Sequence, residues 1–170
     1  MTALGPSLSL VRVVALVGAL GVAAAFFMPW FSSQGLLLSG QFLHNFLSNA
    51  SPSDLRRFLP NSSPSEVQLL RLLVDLFPVC GLIGAVAVLA GAFIHRGRVI
   101  ANVAWAFSGL VPLGAWAAGI RQLPPGANPE VGLWLIGGGS LAVVVGGALE
   151  LWTSRSNAGL PRRAPRTSTS

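Results

Sequence analysis

Charge is scarce in this chain, lysine is missing altogether, and cysteine occurs once. Charged residues make up 9% of the 170 positions, where a water-soluble domain carries them at about a quarter of its positions. That shortage excludes a surface that faces water all round. The lone cysteine, Cys80, excludes an internal disulfide. The chain also lacks paired carboxylates in a polar setting, a Ser-His-Asp grouping and a glycine-rich loop after a strand, so no reaction centre is written in it. With no lysine, eleven arginines carry all the basic charge and leave a formal net charge of +6. A nucleic-acid partner would suit that charge, but the arginines do not form the basic face it requires. They flank apolar runs.

Those runs are what the chain has in abundance. Hydrophobic residues make up 52% of it, and they collect in segments that approach or exceed the roughly 18 to 20 residues needed to cross a hydrocarbon layer about 30 Å thick. Backbone groups in lipid must satisfy one another within their own segment, so each run predicts a helix. The reading is an all-α membrane protein, a four-transmembrane-helix bundle with spans over 13–30, 67–94, 99–121 and 130–152. An outer segment, 31–66, holds short amphipathic helices, and a basic tail, 155–170, is expected to be disordered. Arg12, Arg96, Arg98, Arg155, Arg162, Arg163 and Arg166 fall on one common side of such a chain. The positive-inside rule makes that side the cytoplasm, with both termini there.

A second reading of the N-terminus is a signal peptide, with 13–27 as its apolar region and Ala23-Ala24-Ala25 as a small-residue cleavage site. Arg12 sits late for that reading. As a span, the same segment places Ala15, Ala19 and Ala23 on one face, where small side chains let a second helix approach. Trp30 is expected at the interface as an aromatic anchor.

In the outer segment, Phe42, Leu43, Phe46 and Leu47 alternate in pairs with Gln41, His44, Asn45 and Ser48 at helical period. Ser51-Pro52-Ser53-Asp54 then supplies a cap, a proline and an acid for a helix whose apolar face is Leu55, Phe58 and Leu59. Ser63-Pro64-Ser65-Glu66 repeats the device as a capping box, opening a helix that runs on into the second span. Phe42, Phe46, Phe58 and Leu59 form the expected outer docking surface.

The later spans carry further small residues. Ala87 and Gly91 pair in the second, Gly114 and Ala118 in the third, and Gly138, Ala142 and Gly146 form a stripe in the fourth. Pro112 is expected to kink the third span, and Asn128-Pro129-Glu130 reads as the start of the fourth helix. Two acids lie close to the spans. Asp75 follows Arg71 by four residues, a spacing that lets the two pair on one face. Glu150 has Arg155, Arg96 and Arg98 at its depth as partners. The two histidines, His44 and His95, fall on opposite sides of the membrane and cannot hold one haem together. The residues specify no cofactor and no metal site.

The run Phe27-Met28-Pro29-Trp30-Phe31, followed by Ser39-Gly40, an outer segment and three more spans, resembles small, mostly uncharacterised bacterial four-span membrane proteins with a Pro-Trp motif ending the first helix. The resemblance implies the same fold and a bacterial cytoplasmic membrane, and it brings no activity. The layout is also similar to that of claudins, but Gly132-Leu133-Trp134 lies at the fourth span rather than in the first outer loop, and the loop's cysteine pair is missing. The expectation is therefore a non-enzymatic accessory or scaffold subunit of a membrane complex, with the bilayer and a membrane protein or second copy as partners. The alternative is a lipid-, quinone- or pigment-binding or small-solute transport protein, with Asp75, Asn102, Trp105 and Trp116 lining an internal site.

Overall fold

In a computed structural model, residues 9–33, 35–59, 63–93, 98–121, 123 and 126–158 are described. Helices dominate: α1 (Leu10–Ala25), α2 (Gly40–Asn49), α3 (Pro52–Phe58), α4 (Pro64–Phe93), α5 (Arg98–Arg121) and α6 (Val131–Ala158). Segments within α4, α5 and α6 are each long and apolar enough to cross a membrane, whereas α1 is a shorter apolar helix. Its 16 residues span about 24 Å, at 1.5 Å per residue.

The helices form a ring in which α1 and α5 each pack against both α4 and α6. Glycine makes this possible. A Cβ added to Gly139 would lie 2.5 Å from the carbonyl oxygen of Gly18, and one added to Gly81 would lie 2.7 Å from the backbone nitrogen of Ala23. Only residues without side chains permit helix backbones to meet so closely, and van der Waals packing is what holds helices together where lipid removes the hydrophobic drive. At the end of the bundle where α1 starts, named the inner end for reference, the core is Ala15, Ala19, Ala85, Ala87, Val88, Trp105 and Val143. At the outer end it is Ala25, Trp30, Val74, Phe77, Leu133 and Ile136.

Two features at the outer end depart from the expectation. The first apolar run stops being helical at Ala25, and its last residues enter a small antiparallel sheet. Strands β1 (Pro29–Ser33) and β2 (Leu36–Ser39) form a hairpin, and β3 (Asn128–Pro129) pairs with the other edge of β1. The hairpin turns at Gly35, whose φ of 81° suits only a residue without a Cβ. Pro129 therefore sits in a strand rather than in the first turn of the last helix, and α6 begins at Val131, with the Glu130 amide donating to the Trp30 carbonyl at 2.8 Å.

Trp30 is the second departure. It is buried within the protein, and its Nε1 donates to the Ala25 carbonyl at 2.7 Å while its ring meets Phe77 edge-on. The indole thus gives a second donor to a helix-end carbonyl that also accepts from the Met28 amide at 3.2 Å. Trp30→Phe keeps the ring and removes the donor, so it is expected to lower stability in detergent by about 1 to 2 kcal/mol in equilibrium unfolding.

Both capping signals of the outer segment open helices. Ser51 Oγ accepts from the Asp54 amide, and at α4 the Ser63 amide donates to Glu66 Oε2 at 2.6 Å while the Glu66 amide donates to Ser63 Oγ at 3.3 Å. From there α4 continues for 30 residues through Pro78, and α5 runs through a fully buried Pro112. At the other end α6 reaches Ala158, so the first four residues of the expected tail are helical. The rest of that tail, the turn containing His95 and Arg96, and the side chains of Phe58, Arg98 and Arg155 lie outside the described residues.

Candidate functional site

Polar groups sit at three levels of the bundle. At the inner end, Ser9 caps α1, and Arg12, one turn in, reaches across to α6. Its Nε donates to Glu150 Oε1 at 3.0 Å and its Nη2 to Oε2 at 3.1 Å, while Ser9 Oγ donates to Oε1 at 3.2 Å. Both residues are more than nine-tenths buried. The planar fork of guanidinium against carboxylate gives this contact both direction and strength. Sequence spacing offered Arg155, Arg96 or Arg98 for Glu150, and the side chains of those three lie outside the described residues; Arg12 is a partner it did not name.

In the interior, Asn102 and Ser140 are fully buried, and neither the Asn102 amide atoms nor Ser140 Oγ has a hydrogen-bond partner. Trp105 is also fully buried, with Nε1 unpaired, and fits between Gly146 and Ala15. Asn102 points at α4, where a Cβ on Gly91 would be 2.9 Å from its Oδ1. Ser108 Oγ, by contrast, donates to the Trp105 carbonyl at 2.8 Å. Of the four residues expected to line an internal site, Asn102 and Trp105 share the inner half of the bundle. Trp116 belongs to the outer half, edge-on to Trp134 at 6.3 Å, and Asp75 is half-exposed at the outer end.

Asp75 does not pair with Arg71. Its Oδ1 lies 2.5 Å from Nδ1 of His44, which ties α2 to α4. A solvent-screened contact of this kind contributes little stability, but it fixes which face of α2 turns inward. Leu47 is buried on that face. Opposite it, Phe42 is exposed and stacks on Phe46 with centroids 6.2 Å apart. Leu36 and Leu37 on the hairpin, and Leu69 and Leu72 on the outer turns of α4, are more than half exposed. Leu59 lies apart from this group, in a groove between α3 and the start of α4.

The small-residue stripes fare unevenly. Ala15 and Ala19 are buried, Ala23 lies against Gly81, and Ala87 joins the inner core. Gly146 packs on Trp105, and Ala142 faces Gly18. Gly138 and Gly114 have open space around them, and it is Gly139 that meets Gly18. Sequence reasoning had Gly139 only as a neighbour of the stripe and Arg12 only as a flanking charge. A seven-residue separation from Gly146 marks the first, and a shared depth with Glu150 marks the second.

Among the described residues no three of His, Cys, Asp and Glu gather as a metal site. A scan against protein-family models and searches of curated proteins and of solved structures find no match to the chain.

Proposed function

We propose that the chain is a non-enzymatic accessory or scaffold subunit of a bacterial cytoplasmic membrane complex. In this reading it crosses the membrane four times with both termini inside and docks its partner through the outer layer. The observation that carries the reading is where exposed apolar side chains stand. A hydrocarbon core of about 30 Å takes up some 20 residues of helix. Counted outward from Phe93, at the inner end of α4, that length is used up near residue 73, yet Leu69 and Leu72 are exposed beyond it. The exposed Leu36, Leu37 and Phe42 belong to elements joined to this outer part of the bundle. Scattered apolar residues on a surface are ordinary, whereas a group of them outside the lipid marks a contact surface. Support for a fourth crossing comes from α1, which despite its length packs against both α4 and α6, keeps an exposed apolar face, and is clasped near its start by Glu150.

The test is gentle purification from native membranes. Replacing Leu36, Leu37, Leu69 and Leu72 with serine is expected to cut the co-purifying protein by about tenfold or more and to leave the unfolding temperature of the isolated chain unchanged. A lone monomer recovered from the unaltered chain would count against the proposal. The unpaired amide of Asn102 favours a second reading, an internal site for a lipid, quinone or pigment. An absorption spectrum and lipid mass spectrometry of the purified protein test it, and loss of a bound species in Asn102→Leu would move the function there.

A further inference from the structure

The outer layer contains a groove of about 420 Å³ between α3 and the first turn of α4, lined by Pro52, Leu55, Arg56, Leu59, Pro64 and Val67. Among the described residues that line it, Arg56 is the only one with a polar side chain. The acids nearest in sequence do not neutralise it. Asp54 accepts the hydroxyl hydrogen bond of Ser51 at 2.6 Å. Glu66 accepts from the backbone and the hydroxyl of Ser63, at 2.6 and 3.1 Å. Both carboxylates are thus held in helix caps, and Arg56 makes no ion pair among the described residues. An apolar cleft of this volume with a single directing polar group has the form of a small-molecule site, and the free guanidinium selects an oxyanion.

Depth narrows the ligand further. In the crossing proposed above, on which this depth rests, the first turn of α4 stands about 10 Å beyond the point where a 30 Å hydrocarbon core ends. Two-chain lipids keep their acyl chains below that level. A single-chain amphiphile can leave the bilayer and lie with its tail along Leu55, Leu59 and Val67 and its head on Arg56. We infer that this groove binds a single-chain anionic amphiphile, an acyl chain ending in a carboxylate or a phosphate. The site is separate from the exposed leucines of the docking surface, and its occupancy does not depend on a protein partner.

The experiment uses the full chain in nanodiscs of zwitterionic phospholipid, with a diazirine-bearing sixteen-carbon fatty acid as the probe and peptide mapping of the adducts. Adducts are expected on residues 52–59 and 64–67. They should be competed by oleate if the natural head is a carboxylate, by lysophosphatidate if it is a phosphate, and by oleyl alcohol in neither case. Arg56→Gln should reduce labelling of these peptides about tenfold, equivalent to about 1.4 kcal/mol. Arg56→Lys should recover part of it, and Arg121→Gln should leave it unchanged. Adducts confined to the lipid-facing sides of α1 and α4 would overturn the inference. So would labelling of the groove that is indifferent to Arg56→Gln, or competition by oleyl alcohol as strong as by oleate.

Discussion

Arg12→Leu is expected to destabilise the bundle by about 3 to 5 kcal/mol in equilibrium unfolding in mild detergent, and Arg12→Leu combined with Glu150→Leu to recover most of that loss. The single change takes the bidentate guanidinium from a carboxylate that is more than nine-tenths buried and that Ser9 Oγ also contacts. Desolvating a charge costs several kcal/mol that only a well-aligned partner offsets. The double change removes both charges and lets the site close on apolar atoms, which buried ion pairs elsewhere tolerate. Because the pair joins the first helix to the last, loss of the single variant's stability should be accompanied by faster proteolysis between α1 and α2. A single variant as stable as the parent, or a double variant as unstable as the single, would show that the pair contributes no more than an exposed one.

The same pair illustrates what a sequence can and cannot convey about a membrane bundle. Hydropathy and capping residues locate helices along the chain, because length in lipid and the chemistry of a first turn are local properties. The starts of α3 at Ser51 and α4 at Ser63 were readable for that reason. Depth follows from position within a helix, so Arg12 and Glu150 were both placed at the inner end. Which helix neighbours which is not local. Arg12 pairs with Glu150 only because the ring sets α1 beside α6, and four helices can be arranged round a ring in more than one order. His44 and Asp75 repeat the lesson. Spacing offered Arg71 as the partner of Asp75, but the fold-back of α2 onto α4 brought His44, 31 positions away, within 2.5 Å.

The sheet was hidden for a different reason. Its strands are five, four and two residues long, too short for alternation to register. Its nucleus, the Trp30 indole turned back onto Ala25, spans a helix end where the sequence reads simply as an apolar run closing at proline. The candidate docking residues were legible only in part. Phe42 is exposed as expected, but Leu36 and Leu37 belong to a hairpin that was not foreseen, and Leu69 and Leu72 fall at the start of the expected second span, 67–94, where the outer helix runs into it.

Gly139→Ala is expected to cost about 1 to 3 kcal/mol of stability, while Gly138→Ala is neutral or gains up to about 1 kcal/mol. The two glycines are adjacent, equally helical and chemically identical, so intrinsic preference favours alanine at both. Rotation separates them. A helix turns about 100° per residue, so seven residues bring Gly139 within about 20° of the line through Gly146, whereas Gly138 lies well round toward the lipid. At Gly139 a new methyl group would meet the Gly18 carbonyl oxygen at 2.5 Å, a backbone atom that can yield only if α1 moves away; at Gly138 it meets nothing within 4 Å. Gly18→Ala, which brings its Cβ to 2.7 Å from the Gly139 carbonyl oxygen, strains the same contact from the other side. Its effect should therefore fall short of additive with Gly139→Ala, since once the helices have separated for one methyl group the second meets less resistance. Unfolding midpoints of the three single variants and the Gly18→Ala/Gly139→Ala pair decide the matter. Equal effects at positions 138 and 139 would mean that α1 and α6 do not meet at this face.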